Sequence, residues 1–288
     1  MRLATVEGPT GPIIIAERDG QLVHLHDADT RLPRSLVDIL AAWPDIRPEV
    51  EQAAQRAAPL HAPPVRWYAP IPSPQKIICI GLNYADHAAE TGASIPEEPV
   101  VFCKFATTVI GHLEPIELPR ESRQVDYEAE LVVVIGKGGR HIRAEDAWNH
   151  VAGLTCGHDV SARDWQKGKP GGQWLLGKSF DTFAPMGPFL VTADEFTPPI
   201  ELDIRMTVSG QVLQDSNTRQ LIFTIEELIA YLSQVVTLRP GDVLFTGTPP
   251  GVGMARKPPR FLKAGDVAQV SIERIGTLEN PVISADND

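Results

Sequence analysis

Apolar residues in this chain gather in short uninterrupted runs bounded by turn formers, the pattern of β-strands. Such runs are Lys76-Ile77-Ile78-Cys79-Ile80, Leu131-Val132-Val133-Val134-Ile135, Asp242-Val243-Leu244-Phe245-Thr246 and Val267-Ala268-Gln269-Val270-Ser271-Ile272. The last two each follow a Gly-Asp turn. Near the start, Ile13 to Ala16 and Gln21 to Leu25 flank Asp19-Gly20, which predicts a tight hairpin. Helical spacing is confined to a few places, around Leu36 to Trp43 and Val50 to Ala57. Two Ser/Thr-x-x-Asp/Glu starts add Ser161 with Asp164, and Thr224 with Glu227 ahead of Leu228, Ile229, Leu232, Val235 and Val236. Strands do not alternate with helices, so the predicted fold class is predominantly β with some helix (α+β). Prolines at 59, 63, 64, 70, 72 and 74 read as a stiff, extended connection. They predict a boundary between a small N-terminal module, residues 1–70, and a large domain, residues 74–284.

Charge narrows the function classes. The 288 residues carry a formal net charge of −11, which repels phosphate backbones and anionic lipid and argues against nucleic-acid and membrane-surface partners. No stretch reaches the roughly 20 apolar residues of a membrane span, and the first residues lack the apolar core of a secretory signal. Cys79, Cys103 and Cys156 are odd in number, far apart and set in apolar runs, so they read as buried thiols. The expectation is a soluble protein of a reducing compartment, cytoplasmic. Of the 49 Gly and Pro residues, 19 fall in two stretches, 156–188 and 240–265, which marks these as loop-rich.

The candidate chemistry clusters near those loops. In Asp126-Tyr127-Glu128-Ala129-Glu130, the two glutamates share one face of a strand about 7 Å apart. Together at the mouth of an apolar strand they need a cation between them or a proton on one; a plain polar strand entrance is the competing reading. Asp159 emerges from a second apolar run and is a third acid or a helix-leading cap. Three acid oxygens suit a hard ion, Mg²⁺ or Mn²⁺ with Ca²⁺ also possible, better than zinc. Arg163 and Gln166 lie three apart on one helix face, and Lys178 sits among apolar residues and glycine. His87 and Glu90 have the spacing by which a carboxylate orients an imidazole, although a surface pair has the same spacing. Gly247-Thr248-Pro249-Pro250-Gly251-Val252-Gly253 lacks the order of a nucleotide loop and reads as a tight turn whose amides and Thr248 hydroxyl touch an anion.

Five blocks, taken in order, resemble the fumarylacetoacetate hydrolase superfamily, from about Lys76 to Pro281. They are Gly81-Leu82-Asn83-Tyr84-Ala85-Asp86-His87, Asp126 to Leu131, His158 to Gln166, Gly177-Lys178-Ser179-Phe180-Asp181-Thr182-Phe183-Ala184-Pro185 and Gly247 to Gly253. The wording from Gln173 to Lys178, Arg256 to Pro259 and Phe261 to Asp266 is similar to the longer members that carry this domain. The resemblance implies a β-roll-like catalytic domain, a homodimer, and Mg²⁺ or Mn²⁺ held by Glu128, Glu130 and Asp159. It places the catalytic pair on His87 and Glu90, the cationic residues on Lys178 and Arg163, and further substrate contacts on Gln166 and Thr248. Acylpyruvate-cleaving members carry Arg where this chain has Leu82.

A 1,3-dicarbonyl or 2-oxo acid chelating a hard cation fits these residues, because the cation stabilises the enolate left when a C–C bond breaks or a proton departs. The first expectation is a divalent-metal-dependent hydrolase that cleaves a C–C bond in a β-diketo acid or acylpyruvate-like substrate. The alternative is a keto-enol tautomerase, isomerase or decarboxylase of oxaloacetate-like or 2-hydroxyhepta-2,4-diene-1,7-dioate-like substrates. A non-catalytic metal-stabilised scaffold is the third reading.

Overall fold

The computed structural model describes residues 1–92 and 94–285. Its principal element is a ten-stranded sheet with Ala129–Ile135 near the middle, antiparallel to Val151–His158 on one side and to Val243–Phe245 on the other. Ile77–Gly81 runs parallel to Val243–Phe245, and Val100–Lys104 forms the edge beyond it. The run at 131–135 has no polar alternation because both of its faces are covered. Leu131, Val133 and Ile135 join a core shared with a five-stranded sheet, which contains Asp203–Val208 and Val267–Ile272. Val132 and Val134 belong to a second core, which also holds Leu36, Ile39 and Val50 of the helices Leu36–Ala41 and Trp43–Arg56.

The hairpin forms as expected between Gly11–Arg18 and Gln21–His24, with Asp19 and Gly20 at positive φ. A strand that the apolar pattern did not mark, Arg2–Gly8, joins this hairpin to Ala184–Thr192 in the same sheet. Residues 1–70 therefore supply three strands of the principal sheet, and one core contains both Leu3 and Phe245. The sheet runs across the boundary expected near 70. The proline-rich stretch runs back along Arg2–Gly8: the Tyr68 amide donates to the Thr5 carbonyl at 3.0 Å, and the Thr5 hydroxyl to the Pro70 carbonyl at 3.1 Å.

Two further expectations part company. Thr224 caps Ile225–Val235 with the full reciprocal box to Glu227. Ser161 caps nothing: it lies in the short strand Ser161–Ala162, and its hydroxyl donates to the Asp159 carbonyl at 2.9 Å. Asp164 instead accepts from the Ser122 hydroxyl and the Arg123 amide, tying a distant loop to the helix Arg163–Gln166. Cys79 and Cys156 are buried, but Cys103 is exposed on the edge strand, which corrects the expectation of three buried thiols. Among the described residues, no helix is long and apolar enough to cross a membrane.

Register places the site. The ends of Ile77–Gly81, Val151–His158 and Val243–Phe245 and the start of Ala129–Ile135 fall along one edge of the sheet, so the loops that follow or precede them converge.

Candidate active site

These loops enclose a cavity of about 550 Å³. Glu128, Glu130, His87, Glu90, Arg163, Gln166, Lys178 and Thr248 all line it, joined by apolar Ile80, Leu82, Phe102, Trp174 and Met254. The structure thus brings eight of the nine sequence-predicted site residues to one wall or another. The ninth, Asp159, is fully buried behind it, with its amide donating to the Glu128 carbonyl at 2.9 Å. Ligand oxygens of Glu128, Glu130 and Asp159 lie within 4.8 Å of one another.

The three acids differ in their partners. Glu128 accepts from Arg163 Nη2 at 2.5 Å and from Lys178 Nζ at 2.6 Å. Burial alone would raise its carboxyl, but the charges of Lys178 and Arg163 outweigh that and hold it below the usual range. Asp159 accepts from Lys178 Nζ at 2.7 Å and from Lys104. Glu130 has no ion pair among the described residues and accepts from the Gly247 amide at 2.8 Å. Burial, then the neighbouring charges of Asp159 and Glu128, push its carboxyl well above the usual range. A buried hard-oxygen triad whose third member lacks a counter-charge fits a divalent cation, which would supply that charge.

Gly247 is the only residue type that suits its place: its φ is +104°, and a Cβ would stand 2.8 Å from that of Asn83. Gly177 serves the same end on the other wall, since a Cβ there would meet the Gln166 amide nitrogen at 2.6 Å. That close approach seats Lys178 against the acids. Lys178 also faces the Phe102 ring at 5.1 Å.

Several predicted contacts go elsewhere. The Arg163 guanidinium, read as a carboxylate grip, is bonded to Asp126, Glu128 and Gln166 at 2.5 to 2.9 Å. The Gly247 amide and the Thr248 hydroxyl, read as anion donors, bond Glu130 and the Ala129 carbonyl. His87 and Glu90 lie on the helix Ala85–Thr91, with Nδ1 and Oε2 3.0 Å apart, and the other Glu90 oxygen accepts from the Gly251 amide.

Sequence reasoning missed three supports. Lys104 is a buried cation bonded to Asp159 and to the Val160 carbonyl; a lone lysine inside Val100-Val101-Phe102-Cys103-Lys104-Phe105 was its signal. Asp126 receives the Arg163 guanidinium and the amides of Tyr127, Gly253 and Met254. Asn83 is buried and joins the Thr246 carbonyl to both polar groups of the Phe223 backbone, clamping two site loops together. Beside it Leu82 is held at φ +51°, a backbone cost tolerated where surrounding structure imposes it.

The family described as fumarylacetoacetate (FAA) hydrolase C-terminal matches residues 76–283. The chain belongs to the fumarylacetoacetate hydrolase family. It is an enzyme of that family, and its predominantly β architecture with helices is the family's. It is 48% identical over 288 residues to a bovine (Bos taurus) oxaloacetate tautomerase FAHD2A, mitochondrial, covering 98% of this chain and 92% of the relative. The fold matches fumarylacetoacetate hydrolase from Exiguobacterium antarcticum with a TM-score of 0.88, 35% identity, and coverage of 99% and 100%. It also matches maleylpyruvate hydrolase from Sphingobium sp. SYK-6, solved with manganese(II) and pyruvate, with a TM-score of 0.83, 29% identity, and coverage of 99% and 100%. The mitochondrial relative overturns the cytoplasmic expectation. The cysteine pattern does not tell one reducing compartment from another.

Proposed function

We propose that this enzyme is a keto-enol tautomerase of oxaloacetate-like 2-oxo acids, dependent on a divalent cation, Mg²⁺ or Mn²⁺, held by Glu128, Glu130 and Asp159. The observation that carries this reading over C–C hydrolysis is the 48% identity, along nearly the whole of both chains, to an oxaloacetate tautomerase. Hydrolysis, the first expectation from the sequence, has the more distant maleylpyruvate hydrolase as its support. When bound, the cation would supply charge stabilisation to the oxygens of a 2-oxo acid as the enolate forms.

The residues of the chain supply the rest. Glu90 holds His87 through Nδ1 and is itself fixed by the Gly251 amide, so the imidazole has one orientation over the cavity. His87 takes a proton from C3 of the keto acid through its other ring nitrogen, and protonation of the resulting enolate on oxygen gives the enol; the reverse sequence regenerates the ketone. Lys178 and Arg163 keep Glu128 ionised and present positive charge where substrate oxygens arrive. Gln166 and Thr248 shape the wall beside them. Homodimer formation is part of the same reading: Val100, Val101 and Cys103 are exposed along the unpaired edge strand, an apolar surface that a second copy would cover.

Oxaloacetate enol, followed by its ultraviolet absorbance with Mg²⁺ present, is expected to relax to the ketone many-fold faster with the protein than without. Nuclear magnetic resonance of the product is expected to show the keto acid intact. Interconversion no faster than the spontaneous rate, or stoichiometric formation of pyruvate, would remove the proposal.

A further inference from the structure

A four-carbon 2-oxo dicarboxylate brings two carboxylates into the cavity. The one next to the oxo group would be held at a cation on the acid triad; the other, at the far end of the molecule, would be left without that partner. Arg163, Lys167 and Lys178 are the cations lining the cavity among the described residues. Arg163 is already paired with Asp126 and Glu128, and Lys178 with Glu128 and Asp159, each at 2.5 to 2.8 Å. Lys167 has no carboxylate within ion-pair distance among the described residues.

Its position follows from the short helix Arg163–Gln166. Lys167 ends that helix, its amide donating to the Arg163 carbonyl at 2.9 Å. Arg163, Gln166 and Lys167 are thus spaced i, i+3, i+4, and one helical turn presents all three to the same cavity. Arg163 and Gln166 are buried, whereas Lys167 is exposed at the opening. The apolar part of the lining includes Leu82, Trp174, Val252 and Met254.

We infer that Lys167 is a specificity-determining residue that receives the distal carboxylate of a 2-oxo dicarboxylate at the cavity mouth. The inference rests on the tautomerase reading for the substrate class, and it separates dicarboxylates from monocarboxylic 2-oxo acids. The charged groups that act on Lys167 are Arg163, Glu128, Asp126 and Lys178. A carboxylate arriving at the mouth gives Lys167 the ion-pair partner that it lacks among the described residues.

The test compares wild type, Lys167→Met and Lys167→Arg, each loaded with Mg²⁺. Enol relaxation of oxaloacetate and C3 deuterium exchange of 2-oxobutanoate give a dicarboxylate-to-monocarboxylate ratio of kcat/KM. We expect Lys167→Met to lower this ratio about tenfold, through KM more than kcat, and Lys167→Arg to restore most of it. A binding readout is independent of turnover: calorimetric affinity for 3,3-difluorooxaloacetate, which keeps both carboxylates and has no C3 proton, measured against affinity for oxalate. It is expected to fall by the same factor in Lys167→Met. An unchanged affinity ratio in Lys167→Met overturns the role of Lys167, whatever the turnover. A wild type that turns over neither keto acid overturns the tautomerase reading, while the affinity ratio still decides the lysine.

Discussion

Glu128 and Asp159 sit in a buried lattice of cations, whereas His87 and Glu90, lining the same cavity, stand on a seven-residue helix nearer the surface. Each buried acid has two cationic partners, and those cations have further partners in Asp126, Gln166 and the Val160 carbonyl. In the His87–Glu90 pair, Glu90 accepts from the amide of Gly251 in the facing loop. Charges taken out of water must be paired completely, so the floor is over-determined. A group that moves protons needs orientation above all, and the helix Ala85–Thr91, the lid of the cavity over that floor, supplies it through Glu90.

The largest effect expected from breaking this contrast is in the floor. Glu128→Ala leaves the buried cations Arg163 and Lys178 with one carboxylate each, Asp126 and Asp159, and should cost about 3–5 kcal/mol of stability as well as metal binding. Glu130→Gln is the sharper partner experiment. It should abolish metal binding equally in calorimetry, yet change the thermal stability of the metal-free protein by less than about 1 kcal/mol, because the carboxyl it replaces already favours its neutral form. Equal destabilisation by the two variants would show that the acids are not divided as described.

In the lid, His87→Ala should lower kcat for oxaloacetate tautomerisation about 10²- to 10⁴-fold. Metal affinity should be unchanged, and stability should fall by less than about 1 kcal/mol. Loss of metal binding in this variant would contradict the separation of floor from lid.

A smaller effect concerns His158, buried next to Asp159 in the chain, its Nε2 without a hydrogen-bond partner among the described residues. Burial, then the charges of Lys104, move its imidazole down to about 3. The unfolded chain takes up this proton below its usual value of 6.5 while the folded one does not until near 3. Stability is therefore lost as pH falls through that window. In His158→Gln, chemical denaturation should show a slope of stability against pH that is flatter by up to one proton, about 1.4 kcal/mol per pH unit. The smallest effect separates the two Ser/Thr-x-x-Asp/Glu starts: Thr224→Ala should cost about 1 kcal/mol, and Ser161→Ala should show no loss of a helix cap.

How far the sequence was legible follows the same division. Strands at 131–135, 243–245 and 267–272 were readable because burial on the sheet leaves apolar runs that need no tertiary information. Candidate site residues were readable where their neighbours are informative, as with Glu128 and Glu130 entering an apolar strand. Lys104 and Asn83 were not, because their role depends on partners 55 and 163 positions away in the chain. Ser161 carries the same local signal as Thr224, but in the fold the backbone at 161 pairs with Asp126, leaving no helix for it to cap. Arg2–Gly8 was invisible for a related reason, since what makes it a strand is the distant segment that accepts it.

That segment gives the N-terminal strand a history as well as a place. Arg2 and Leu3 pair with Val191 and Leu190. During synthesis the ribosome finishes the first strand long before it makes the partner. At about 5–20 residues per second, roughly 10–40 s pass before residue 192 leaves the catalytic centre. Through that interval one side of the strand can pair with the nearby hairpin, while the other remains an open edge on a growing chain. Leu3, Ala4 and Val6, fully or almost fully buried at the end, are thus made long before the last of their neighbours.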